Sequence, residues 1–120
     1  MARLDAALEP ETILASRVYD VEGDGGAREL RVAIAVPVRL ANGRYECRAE
    51  IGNGRQRVVR PLNGADAVEA LLLAVINIGI ELHLFVNAEH DHFTWRDGNE
   101  AGLRFPTLPD FSLRSVIDPQ

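Results

Sequence analysis

Between Asn63 and Val86 the chain reads N-G-A-D-A-V-E-A-L-L-L-A-V-I-N-I-G-I-E-L-H-L-F-V. Apolar residues dominate it, and Asp66, Glu69 and Glu81 are its only acids. So long a stretch, rich in Ala and Leu, predicts one long helix over about 64–86. Asn63 or Asp66 is the expected N-cap, and an early carboxylate suits the positive end of the helix dipole. Val68, Leu71, Leu72, Val75, Leu82 and Val86 form a broad stripe expected on the buried side. Leu73, Ile80 and Leu84 fall near Glu69, Asn77 and Glu81, so the opposite side is apolar as well. A helix apolar almost all round is covered on more than one side.

The segments before this helix alternate as strands do. Thr12 to Val21 is β-branched, and E-G-D-G-G-A over 22–27 predicts a hairpin turn. From Arg28 to Leu40, residues Leu30, Val32, Ile34, Val36, Val38 and Leu40 fall on one face. Arg31, Ala33, Ala35 and Arg39 fall on the other, with Pro37 marking an edge, bulge or bend. After the Ala41-Asn42-Gly43 turn, Tyr45, Cys47, Ala49 and Ile51 point one way. Arg44, Glu46, Arg48 and Glu50 point the other, the pattern of a sheet with one face on a core and one in water. Gly52-Asn53-Gly54 returns the chain as a short strand over 55–60, which Pro61 to Gly64 should end. Tight turns favour antiparallel pairing, because a parallel pair needs a long crossover. His92 to Arg96 and Ala101 to Phe105 read as a second hairpin. Leu4 and Leu8 suit one amphipathic turn before Pro10, or a loose arm. In the tail Leu108, Phe111, Leu113, Val116 and Ile117 are available for packing.

The predicted fold is therefore two-layer α+β: an antiparallel sheet of four or more strands, one long helix on one face, then a hairpin and extended tail. The 120 residues form one domain, 1–120. A formal charge of -5 argues against capture of nucleic acid or an anionic membrane. All the basic residues are Arg, which points to a GC-rich bacterial genome. A lone cysteine, Cys47, calls for no oxidising compartment, and the N-terminus lacks the apolar core of a signal peptide. The longest nearly apolar run, Ala70 to Ile80, is short of the ~20 residues of a membrane span. The expected location is the cytoplasm.

His90-Asp91-His92 is the most metal-like motif. On a strand the two histidines would point the same way, with Asp91, Glu89 or His83 as a third ligand. The bland alternative, a polar connection leaving the helix, is the commoner outcome for so short a motif. Cys47 would need a histidine beside it to act as a nucleophile, and the alternation places it on the core face instead. The charged face of Arg44, Glu46, Arg48 and Glu50 suits cross-strand pairing in solvent. Arg55, Arg57 and Arg60 form a basic patch without interleaved aromatics. Phe93 and Trp95 either fill the core or cap the helix. No P-loop, dinucleotide-binding glycine pattern or nucleophile elbow is present.

Y-E-C-R-A-E-I-G followed by R-P-L-N-G-A-D-A-V-E-A-L-L-L-A-V resembles a group of small bacterial proteins of unknown function. The positions that carry the resemblance are Tyr45, Cys47, Ile51, Gly52, Gly64, Asp66, Ala70, Leu71, Leu73 and Ala74. Glu69 stands where that group often has Gln. The resemblance implies a sheet-plus-helix domain of bacterial origin and brings no activity with it.

The leading expectation is a non-enzymatic protein that acts through protein contacts, as a homodimer or with another protein. Leu73, Ile80, Leu84 and Trp95 are the candidate interface, and no cofactor is expected. An immunity or antitoxin-like role is compatible with a small acidic chain. The alternatives are a metal-binding module or metal-dependent enzyme on His83, His90 and His92, and a small-ligand-binding domain.

Overall fold

The computed structural model describes residues 3–23, 26–87, 90–98, 101–102 and 105. Glu89 and the tail residues Leu108, Phe111, Leu113, Val116 and Ile117 lie outside them. Strands β1 (Ile13–Gly23), β2 (Gly26–Ala35), β3 (Val38–Arg39), β4 (Tyr45–Gly52) and β5 (Arg57–Gly64) precede helix α1 (Ala67–Glu81). A 3-10 turn, Leu82–Leu84, and strand β6 (His92–Trp95) follow. All six strands belong to one antiparallel sheet. β4 has β5 along one side, and β2 and β3 share the other. β1 lies beyond β2, and β6 returns to the far edge beside β1.

The alternation places the core correctly through β2 and β4. Leu30 and Val32 are buried beneath the helix layer with Cys47, Ala49 and Ile51, and Ile34 packs against them. The pattern fails after Ala35. Val36 and Val38 are exposed, because the strand breaks at Val36–Pro37 and β3 resumes with only two residues. Pro61 does not end β5, which runs on to Gly64 with Pro61 opposite Arg48. Proline is tolerated there because β5 has a ladder partner on one side only at that point.

The second face of the sheet is not simply solvated. The N-terminal segment is neither a helical turn nor a loose arm. Leu4 bridges Arg57, the Asp5 amide donates to Arg57 O at 2.9 Å, and Asp5 Oδ2 accepts from the Val59 amide at 2.8 Å. The arm thereby occupies part of the outer edge of β5, which would otherwise present unpaired backbone groups. The Arg3 side chain and the Val59 amide both hold the Asp5 carboxyl below its ordinary range. Further along, Leu8 packs with Ala33 and Ala35. Its amide donates to Glu50 Oε1 at 2.7 Å, so Glu50, expected in solvent, is 2% exposed. Arg31 Nε lies 3.2 Å from Glu50 Oε2 but off the hydrogen-bonding line, so that contact is ionic only.

Helix α1 is shorter than expected and is turned differently. Asp66 is its N-cap: its side chain accepts from the Glu69 amide at 2.8 Å, and Glu69 Oε1 accepts from the Ala65 amide at 2.8 Å. This is a reciprocal capping arrangement shifted by one residue from its usual form. The face on the sheet is centred on Ala70, Ala74, Ile78 and Glu81; of the expected stripe Leu82 is buried and Leu71 and Val86 pack against the core, while Val68 and Leu72 turn outward. Val68 is 64% exposed and Leu72 47%. Asn77 and Glu81, expected opposite the sheet, instead form a polar seam. Glu81 accepts from Arg60 of β5 at 2.7 Å and from Asn77 at 3.0 Å.

Close approach explains this choice. A Cβ on Gly64 would lie 2.9 Å from Ala70 Cα and closer still to the Ala70 nitrogen. β5 and the first helical turn are therefore in backbone contact, which only small residues on that helix face permit. Gly64→Ala should lower the unfolding free energy by about 1–3 kcal/mol through overpacking against backbone, as read by urea denaturation.

Candidate functional site

The rotation of α1 leaves an apolar ridge in the open. Val68, Leu72, Ile76 and Ile80 follow one another at four-residue spacing, so they form one row along the helix. Val68, Leu72 and Ile80 are exposed and Ile76 is half-buried; Leu84, 63% exposed, stands in the 3-10 turn that follows. Leu73 and Val75 flank the row, half-buried. Glu69 marks the start of this face and His83 its end, both exposed. Of the interface residues expected from sequence, Ile80 and Leu84 lie in the open and Leu73 partly so. The signal missed was the row of Val68 and Leu72, which sequence weighting assigns to the core.

Trp95 is not on this face. It sits on β6 at the far edge of the sheet, with the Arg17 guanidinium 3.6 Å over its ring and its indole N–H donating to Gly102 O at 3.0 Å. Phe93 is buried beside Tyr19, ring edge to ring face. Both belong to the half of the sheet that α1 does not cover.

By length and composition the segment Ala67–Leu84 is sufficient to cross a membrane, longer than the run of Ala70 to Ile80 read from sequence. In this fold its Ala70–Ala74–Ile78 face is buried against β4 and β5.

The three histidines stand on different segments of the chain. His83 lies within the 3-10 turn after α1, His90 lies in the turn before β6, and His92 opens β6 opposite Glu22. Among the described residues no group of three or more His, Cys, Asp or Glu side chains is placed to share an ion. Asp91, between His90 and His92, has another task. Its Oδ2 accepts from Arg28 Nη2 at 2.6 Å and from the Asn87 amide at 2.8 Å. Its Oδ1 lies where a Cβ of Gly23 would be, so a side chain at residue 23 would displace the Asp91 carboxylate. Cys47 is buried on the core face, and its thiol points to Ala35 O at 3.1 Å. Burial pushes that thiol above its ordinary range, which favours the protonated form.

Burial pushes the Asp91 carboxyl up, but the Asn87 amide and the Arg28 guanidinium together outweigh it and hold the group below its usual range. A lowered folded-state pKa stabilises the fold above the unfolded value near ~3.9, and that contribution is lost as pH falls through the folded value. Asp91→Asn should therefore be less stable than the parent at neutral pH. The gap should close in acid below the folded pKa, as read by unfolding midpoints across a pH series.

A family model for a domain of unknown function, DUF6968, matches residues 15–107. No curated protein and no solved structure matches the chain. The match takes in every strand but the first residues of β1, together with the whole helix, and leaves the N-terminal arm outside. Spanning well over half of the sequence, it makes this chain a member of the DUF6968 family.

Proposed function

We propose that the protein works through protein contacts rather than catalysis, and that the ridge on α1 joins two copies of the chain. The observation that carries this reading is the row Val68, Leu72, Ile76 and Ile80 on the face turned from the sheet, exposed except at half-buried Ile76. Large apolar side chains contiguous on a surface mark interaction sites, whereas scattered ones do not.

The row is also suited to itself. Ile76 is its centre: Leu72 and Ile80 stand four residues to either side, and Glu69 and His83 seven. A two-fold axis at Ile76, with the helices antiparallel, sets Leu72 against the partner's Ile80 and Glu69 against the partner's His83. The acidic start of one helix then meets the imidazole-bearing end of the other, and the two helix dipoles run in opposed directions. Ridges of four-residue spacing interdigitate at a crossing angle of about -50°. Such an isologous contact is the usual basis of a closed dimer.

Sedimentation equilibrium should give twice the 13.2 kDa of one chain, and Leu72→Glu should give a single chain with its unfolding midpoint little changed. Ile76→Cys should cross-link to itself on mild oxidation. Val68→Cys should not, because its symmetry mate lies about 24 Å away along the helices. A monomer at high concentration, or a dimer that survives Leu72→Glu, would sink the proposal.

A further inference from the structure

At the end of the sheet where the β1–β2 hairpin, the β4–β5 turn and the chain leaving α1 meet, there is a basin of about 520 Å³. It lies apart from the α1 ridge. Its lining includes Arg28, Asn53, Arg55, Phe85, His90 and Asp91. We infer that this basin is a binding site for a small organic oxyanion, a phosphate or carboxylate attached to a compact apolar body.

The balance of donors and acceptors favours an anion. The lining brings two guanidiniums and an imidazole together with one carboxylate, Asp91. That carboxylate is already engaged, because Oδ2 accepts from Arg28 and from the Asn87 amide. Arg28 is thereby held fast: Nη2 lies 2.6 Å from Asp91 and 3.4 Å from Phe85 O. Its Nε and Nη1 make no hydrogen bond to another described residue. A guanidinium anchored at Nη2 keeps the Nε–H and Nη1–H groups as single charged donors to an oxyanion. Arg55 is exposed, and its side chain has no hydrogen bond or ion pair among the described residues.

The walls of the basin are built rather than loose. Asn53 Oδ1 accepts from the Arg55 and Gln56 amides, both at 3.0 Å, which closes the β4–β5 turn and fixes where Arg55 starts. On the other side Asn87 O accepts from the His90 amide at 3.1 Å and the Asp91 amide at 2.8 Å. That turn fixes the backbone of His90. Phe85, buried, and Ala27 supply the apolar part of the lining. A basin of this size lies within the ~300–1,000 Å³ of small-molecule sites, which pair an apolar wall with a few placed polar groups.

Calorimetric titration of the full chain with phenyl phosphate, benzoate and phenol tests this. At least one of the two anions should bind saturably, and the stronger of them names the headgroup; phenol should not bind. Arg55→Ala should weaken that anion at least tenfold with the unfolding midpoint unchanged. Arg39→Ala, an exposed arginine on β3 remote from the basin, should leave affinity within twofold. Lack of saturable binding by either anion, equal affinity in Arg55→Ala, or equal weakening by Arg39→Ala would overturn the inference. The dimer contact does not involve these residues, so either proposal can fail without the other.

Discussion

The contact between α1 and the sheet sets the character of the whole molecule. It is made by small side chains, Ala70 and Ala74, over a strand that ends in Gly64, with Ile78 beyond them. Helix and strand therefore meet at backbone distance. Little room remains for bulk between them, and the larger apolar residues of the helix must lie elsewhere. Leu82, Phe85 and the strand residues Leu30, Val32 and Ile51 fill the space beyond the helix footprint. The pair Arg60–Glu81 then fixes the rotation, since turning the helix outward would strip a largely buried carboxylate of its partner. An acid in the last turn also opposes the helix dipole, and Arg60 offsets that. The exposed ridge follows from these constraints, so the proposed dimer face and the internal packing have one cause.

The other face of the sheet depends on the N-terminal arm in a similar way. A buried glutamate in a strand is costly unless its oxygens are met. Glu50 is met by the Leu8 amide and lies beside Arg31, which ties an otherwise extended segment to the middle of the sheet. The arm covers Ala33 and Ala35 and part of the β5 edge. At the opposite edge Arg96 bridges Asp20 and Glu29 on neighbouring strands, and both carboxylates raise its already high pKa. These surface pairs contribute little individually. They do hold the end of β6 to β1 and β2.

The strand pattern was legible because alternation reports side-chain direction. Leu30, Val32, Cys47, Ala49 and Ile51 lie on the core face where their parity puts them. The helix face was not legible, because hydrophobic weighting favours Leu and Val over Ala, while close packing favours Ala. A stripe drawn by hydrophobicity on a helical projection turns Val68 and Leu72 inward and Glu81 outward. Its partner, Arg60, is far off in sequence, and nothing local announces the pair. Alternation gives Glu50 its correct face but not its burial, because the amide that meets it comes from distant Leu8. Nothing local marks the basin, because Arg28, Arg55 and His90 lie on three segments far apart in sequence. The Asp-His pattern around residue 91 was visible, but its use as a clamp on Arg28 depends on the hairpin that carries Gly23.

Everything above depends on Ala74, not Leu72, facing the sheet. Urea denaturation of Ala74→Leu measures it most directly. Enlarging a residue in backbone-tight contact should lower the unfolding free energy by about 1–3 kcal/mol. Stability equal to or above that of the parent chain would contradict the packing described, because a leucine on an outward helix face is tolerated at little cost.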